Sequence, residues 1–289
     1  MTERIQVLGL CRFSFPATVQ AFQVKHESEQ AVRDALYSPA RLKQRMMWFQ
    51  HIFLPSVRKQ TDQDFTILLL MGDDFPEPFL GQMMALISDI SQIVPIFRPS
   101  QNHRLLCREL LHAARDPNAD IIAEFRPDDD DAFAVDFVEQ LRSKMDWVRP
   151  MLKQKGAVTL DFQRGFLIKA ADDGVSVQAM SAQLWVPAFA TYFFPGHKNC
   201  VLDYKHHRIF ADMPVVSDSS RIMFIRGWHD TNDSRIIIRN ARMLNFEPDR
   251  IIQLLKDRFD IDLEAFDAAW EGLRKQPGAR VAPPIRKQL

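Results

Sequence analysis

Short apolar runs alternate along this chain with longer stretches whose apolar residues recur at helical spacing, the pattern of an α/β fold with a mainly parallel central sheet. Ile5 to Leu10 is the first such run. Ser38 then reads as a helix cap with Pro39 at the first helical position, and Leu42, Met46, Phe49 and Phe53 follow on one face. Phe65 to Met71 is a continuous apolar run suited to a strand buried on both faces, and it ends in the polar Gly72-Asp73-Asp74. A helix near Pro78 to Ile90, a strand near Ile93 to Phe97 and a helix near Asn102 to Arg115, stopped by Asp116-Pro117, continue the alternation. Ile121 to Phe125 predicts a further strand. It runs into Arg126-Pro127 and four aspartates, Asp128 to Asp131, before an amphipathic helix marked by Ala134, Val138, Leu141, Met145 and Val148.

Beyond Pro150 the texture changes. Ala157 to Leu160, Gly165 to Ile168 and Val175 to Met180 read as short strands, followed by an aromatic, proline-punctuated region from Trp185 to His207 and a strand over Arg221 to Ile225. Helices over Pro248 to Phe259 and Leu263 to Arg274 close the folded part. The remainder, residues 276–289, holds three prolines and several basic residues with little apolar surface, and is expected to be a mobile tail.

Composition narrows the class. With 46% hydrophobic and 26% charged residues the chain can bury a core and belongs with globular rather than disordered sequences. Lys+Arg and Asp+Glu both number 37, so no net field draws the chain to nucleic acid, and no nucleic-acid partner is expected. Cys11, Cys107 and Cys200 are widely spaced, which argues against a disulfide framework or a structural zinc site and fits a reducing compartment. The N-terminal residues lack the pattern of a secretory signal, and no apolar stretch reaches the ~18 residues of a spanning helix. A cytoplasmic location is expected, compatible with peripheral association at the inner face of a membrane.

The aspartate run stands at the carboxyl end of a buried-type strand, where open α/β sheets face their ligands. Four adjacent carboxylates repel one another unless solvent, a cation or neighbouring bases compensate, and a solvated acidic turn is the plain alternative to a binding loop. Mn²⁺ or Mg²⁺ takes carboxylate oxygens and keeps positions open for phosphate and water, so two carboxylates from one tight loop suit a metal and diphosphate site. Asp128-x-Asp130 and Asp129-x-Asp131 satisfy that requirement equally. Arg12, after the first strand, and Arg104, near the start of a helix, offer fork-shaped cations to phosphate, though a surface arginine is the ordinary alternative.

The segments Ala113-Ala114-Arg115, Ala119-Asp120-Ile121-Ile122 and Asp128-Asp129-Asp130-Asp131-Ala132-Phe133 resemble the region that precedes and contains the DxD motif of GT-A glycosyltransferases. With Arg12-Phe13, Leu54-Pro55-Ser56 and Gln60-Thr61-Asp62-Gln63-Asp64-Phe65 added, the chain resembles the bacterial rhamnosyltransferase family over much of its length. The resemblance implies a GT-A-like nucleotide-sugar-binding fold with C-terminal helices. It divides a single domain over residues 1–275 into a nucleotide-binding half, 1–150, and an acceptor-facing half with helices, 151–275.

What it implies chemically is a metal-dependent glycosyltransferase that moves a sugar, rhamnose by the family's name, from a nucleotide-sugar donor to a hydroxyl of a saccharide, lipid-linked or protein acceptor. Asp128 would lie near ribose or metal with Asp129 beside it in the donor-binding group. Asp130 would be the principal metal ligand, Asp131 a flanking one, and His229 a nitrogen ligand completing the site. Asp73 or Asp74 would accept from the nucleobase, the alternative being a turn-forming pair. Asp230 would orient His229 or deprotonate the acceptor, with Asp161 a weaker candidate base. His197, His206 and His207 fit no zinc spacing and read as structural, while Trp185, Tyr192, Phe193 and Phe194 form either a sugar-stacking wall or ordinary core. Two rival readings are a metal-dependent phosphoesterase and a non-catalytic nucleotide-sugar-binding protein.

Overall fold

The computed structural model describes residues 3–18, 27–232 and 241–276. Strand β1 (Ile5–Arg12) sits between β2 (Thr66–Gly72) and β4 (Ile121–Phe125), and β3 (Ile93–Arg98) lies outside β2; all pair in parallel. Side-chain alternation explains why these runs are apolar throughout. Ile67, Leu69 and Met71 face one core, whereas Leu68 and Leu70 join Leu8 and Leu10 in a second core against Leu106 and Leu110 of helix α5 (His103–Ala114).

The first core is covered by α2 (Pro39–Trp48), which continues through a π turn at Phe49–Phe53 into α3 (Leu54–Arg58). Pro55 cannot donate a backbone hydrogen bond and its ring crowds the preceding turn, and the widened π geometry relieves that conflict. The Phe49 and Phe53 rings stack there with centroids 4.8 Å apart. Ser38 occupies the cap position of α2 without capping through its side chain; its hydroxyl donates to the Ala35 carbonyl instead. Asn102 does cap α5, accepting from the Arg104 and Leu105 amides.

In the second half the strand expected at Val175 to Met180 is present, but the two expected before it are merged. Residues 157–171 form one strand, β6 (Ala157–Ala171), whose apolar pattern is broken by Gln163-Arg164 at a register irregularity rather than by a turn. Hairpin partner β7 (Gly174–Ser181) pairs with residues 164–171 of β6, and β8 (Phe189–Phe193) with residues 157–161; β8 also pairs antiparallel with β4 and joins the two halves of the sheet. The predicted strand at Arg221 to Ile225 is the middle of β9 (Val215–Trp228). After the aspartates, Ala132–Phe133 forms a two-residue strand, β5, and the expected single helix becomes α6 (Phe137–Ser143) and α7 (Met145–Lys155). Helix α7 runs through Pro150 and stops at Gly156, whose positive φ of 76° suits a left-handed cap.

Helices α8 (Pro248–Phe259) and α9 (Leu263–Arg274) match the sequence reading, and the tail at 277–289 lies outside the described residues. Among the described residues no helix is long and apolar enough to cross a membrane. Buried Glu124 of β4 pairs with Arg115 at 2.7 Å and accepts from the Val201 amide, while Arg115 also donates to the His197 and Asn199 carbonyls. That network fixes the loop after β8 to the parallel strands. The aromatic region there is mostly core: Tyr192 and Phe193 are fully buried, and the Tyr192 hydroxyl donates to the Leu141 carbonyl.

Asp161 of β6 is fully buried, with one carboxyl oxygen accepting from the Leu184 amide and the other without a partner. Burial pushes its pKa up to about 7. Over roughly pH 4 to 7 the group holds its proton in the folded chain and loses it in the unfolded one, so stability falls as pH rises across that window. Asp161→Asn should flatten this dependence and raise stability at pH 8 by on the order of 2–4 kcal/mol in urea unfolding, with no gain at pH 4.

Candidate functional site

The site assembles where the parallel strands end and the second half folds back. Strand β4 leads into Arg126-Pro127 and the aspartate run, and β5 then pairs antiparallel with β9, Ala132 opposite Ile225 and Phe133 opposite Phe224. That short pairing brings Arg226, Gly227 and His229 against aspartates almost a hundred residues earlier. Gly227 approaches so closely that a methyl group on it would collide with the Asp130 carbonyl oxygen.

Asp129, Asp130 and Asp131 are buried, Asp128 is half-buried with its side chain 32% exposed, and each has an internal partner. Arg45 of α2 grips both oxygens of Asp129 and reaches Asp130 Oδ2 at 3.1 Å, with the guanidinium itself 6% exposed. Arg226 donates to Asp128 at 3.0 Å and to Asp131 at 2.8 Å. Asp131 also accepts from the Gly227 amide at 3.1 Å. Asp130 Oδ2 additionally receives Asn232 Nδ2 at 2.6 Å and lies 2.9 Å from His229 Nε2. The Thr231 hydroxyl meets the other imidazole nitrogen at 2.8 Å and can donate or accept, so it accommodates either tautomer.

These contacts set the charge states. Burial pushes the Asp130 carboxyl up, but Arg45 and His229 outweigh it and hold the group well below the usual carboxylate range. At Asp128 burial is likewise outweighed, chiefly by Arg226, and the pKa is lowered. Burial drives Asp131 upward; both its oxygens nevertheless face donors, a geometry that favours the carboxylate. Burial keeps His229 neutral despite Asp130 beside it.

Next to this loop lies a cluster of cations. Burial, together with Arg12 and Arg104, lowers Arg126 to about 10, with Asp128 opposing the shift. Burial and the arginines Arg12, Arg104 and Arg126 push His103 down to about 4, and burial and Arg126 push His206 down to about 3. Arg12, Arg104 and Arg126 form no side-chain ion pair among the described residues.

Among the described residues Asp128, Asp130 and Asp131 form a group whose oxygens lie within 4.8 Å of one another, a hard-oxygen set that fits Mg²⁺ or Mn²⁺. Asp129 is outside that group, engaged by Arg45, and His229 contacts Asp130 itself. Asp230 is exposed, accepts from Gln44 Nε2 at 2.7 Å and lines a cavity of about 670 Å³ together with His229, Trp228 and Lys169. Asp74 binds Arg33 at 2.6 Å and the Tyr37 hydroxyl at 2.9 Å, tying helix α1 (Glu29–Leu36) to the end of β2, while Asp73 is exposed. Asp161, opposite Phe189 and Ser217, stands well back along β6 from Lys169, the partner of Trp228. His197 stacks on Phe193, remote in role from the carboxylates.

A sequence profile of the family described as "Putative rhamnosyl transferase" matches residues 6–241. The chain belongs to this family. No curated protein matches it in sequence. Among solved structures it is similar to S. aureus TarS 1-349 in complex with UDP-GlcNAc, at 7% identity and a TM-score of 0.39, covering 81% of this chain and 62% of that one. It is also similar to a structure described as a "putative nucleotide-diphospho-sugar transferase" from Desulfovibrio desulfuricans G20, at 10% identity and a TM-score of 0.33, covering 78% and 81%. The chain thus spans less than two thirds of TarS.

Sequence reasoning passed over Arg45 and Arg226. Arg45 stands three residues after Leu42, inside the buried stripe of α2, and a charged residue at an apolar position was the available signal. Arg226 directly follows the apolar run of β9, and nothing local marks its partner. Arg45→Ala should strand Asp129 as an uncompensated buried charge and cost about 3–5 kcal/mol in denaturant unfolding, whereas Arg45→Met combined with Asp129→Leu should recover most of that loss.

Proposed function

We propose that this chain is a metal-dependent glycosyltransferase that moves a sugar, rhamnose by the family's description, from a nucleotide-sugar to a hydroxyl acceptor. The observation that carries this reading is the juxtaposition, at the ends of β1 and β4, of a carboxylate loop with the guanidinium groups of Arg12, Arg104 and Arg126. A metal-bound diphosphate needs both: oxygens for the cation, and fork-shaped donors for the phosphates. Neither group alone would be distinctive.

The pairing of Asp129 with Arg45 favours Asp128-x-Asp130 as the metal-binding register, with Asp131 beside it. Held there, Mn²⁺ or Mg²⁺ supplies positive charge that stabilises the departing diphosphate. Arg12, Arg104 and Arg126 contact the phosphate oxygens, and Asp73, at the end of β2, accepts from the nucleobase. His229, braced by Thr231, orients Asp130. Asp230 takes the proton of the acceptor hydroxyl as that oxygen bonds to the anomeric carbon, and the diphosphate leaves with the electron pair of the broken bond.

Calorimetric titration of UDP, GDP, dTDP and CDP, with and without Mn²⁺, tests the donor half of this reading. One nucleotide should bind in a metal-dependent way, and Asp130→Ala should weaken it by about tenfold or more. Absence of binding by all four nucleotides under every metal condition contradicts the proposal.

A further inference from the structure

The cavity beside Asp230 is not used by the donor groups. Lys169, Ala170 and Ala171 at the end of β6 form one wall, and Trp228 follows on β9, where it pairs with Lys169. The last turns of α9 supply Trp270 and Arg274 from the other side, and Gln44 of α2 closes the space beside His229. At about 670 Å³ it falls within the usual size of a small-ligand site.

Its lining indicates what kind of ligand suits it. Two indole rings contribute apolar faces, and the Trp270 indole nitrogen is already committed to the Ala171 carbonyl at 3.1 Å, which fixes that ring. Around them stand both signs of charge: Lys275 pairs with Glu271 at 3.0 Å, and Arg274 lies 4.0 Å from Asp172. Lys169 holds its ammonium 5.8 Å from the centre of the Trp228 ring and forms no ion pair among the described residues. A diphosphate would meet the carboxylates of Asp172, Asp230 and Glu271, and a wholly apolar ligand would desolvate every one of these charges. A sugar ring satisfies both parts, with a C–H face for an indole and a rim of hydroxyls that donate to carboxylates and accept from cations.

The position supplies the second argument. His229 and Asp230 form part of the cavity wall, and His229 Nε2 is 2.9 Å from Asp130 Oδ2. A hydroxyl presented at Asp230 is therefore separated from the carboxylate loop by one imidazole.

We propose that this cavity is the acceptor subsite and takes the terminal sugar of a carbohydrate acceptor, stacked on Trp228, with Lys169 and Asp230 binding its hydroxyls. The assignment rests on the glycosyltransferase reading above. It narrows the acceptor to a molecule that ends in a sugar.

Saturation-transfer NMR on the full chain, with the methyl glycosides of glucose, galactose, mannose, rhamnose and N-acetylglucosamine as probes, tests it. At least one glycoside should receive saturation, concentrated on the C–H groups of one ring face. Trp228→Ala should reduce the transfer by about threefold to tenfold, the worth of one aromatic stack. Ala171→Phe, which fills the cavity from the β6 side, should reduce it independently. No transfer to any of the five in the wild type, or undiminished transfer in both variants, overturns the subsite. Nucleotide calorimetry on the wild-type chain separates the two failures: a bound nucleotide with no glycoside signal removes the acceptor subsite alone. A glycoside signal with no nucleotide bound removes the donor reading and the acceptor role with it.

Discussion

Arg45 is the contact on which the site depends. Four consecutive carboxylates, three of them buried, cannot sit beside a hydrophobic core unless cations accompany them, because desolvation and mutual repulsion both disfavour the charged forms. Helix α2 provides one cation through Arg45, which holds Asp129 and touches Asp130, and β9 provides the other through Arg226, which spans Asp128 and Asp131. With Asp129 occupied by Arg45, the remaining three carboxylates form the group able to hold a metal ion.

This constraint links distant parts of the fold. Arg45 precedes a π turn whose geometry accommodates Pro55, so the course of the helix and the placement of the guanidinium are set together. Arg226 reaches the loop only because β5 pairs with β9, and Gly227 permits the approach by carrying no side chain. The cations Arg12, Arg104 and Arg126 come instead from the ends of β1 and β4 and the start of α5, elements belonging to the parallel half. One half therefore supplies the aspartates and the clustered arginines, while the other supplies Arg226, His229 and most of the cavity wall beyond Asp230.

The parallel half was legible in the sequence because strands buried on both faces read as unbroken apolar runs, and the aspartates at the end of β4 marked the loop. The second half was harder to read for specific reasons. Gln163-Arg164 interrupts β6 in a way that imitates a turn, and the two residues of β5 are too few to show any period. Its pairing with β9, which completes the site, is a tertiary contact with no local signature. Arg45 left a trace as a charged residue in an apolar stripe. Spacing alone could not separate the two aspartate registers, because Arg45, which engages Asp129, comes from another element.

Two internal arginines balance part of the acidic run, which in the proposed function leaves room for one divalent cation. Counting bound Mn²⁺ by electron paramagnetic resonance, in the presence of the nucleoside diphosphate that binds best, tests it most directly. One Mn²⁺ per chain should bind, be lost in Asp130→Asn and be retained when Arg45 and Asp129 are replaced together by Met and Leu. No bound Mn²⁺ in the wild type, or loss of the ion in that double variant while its fold persists, would contradict it.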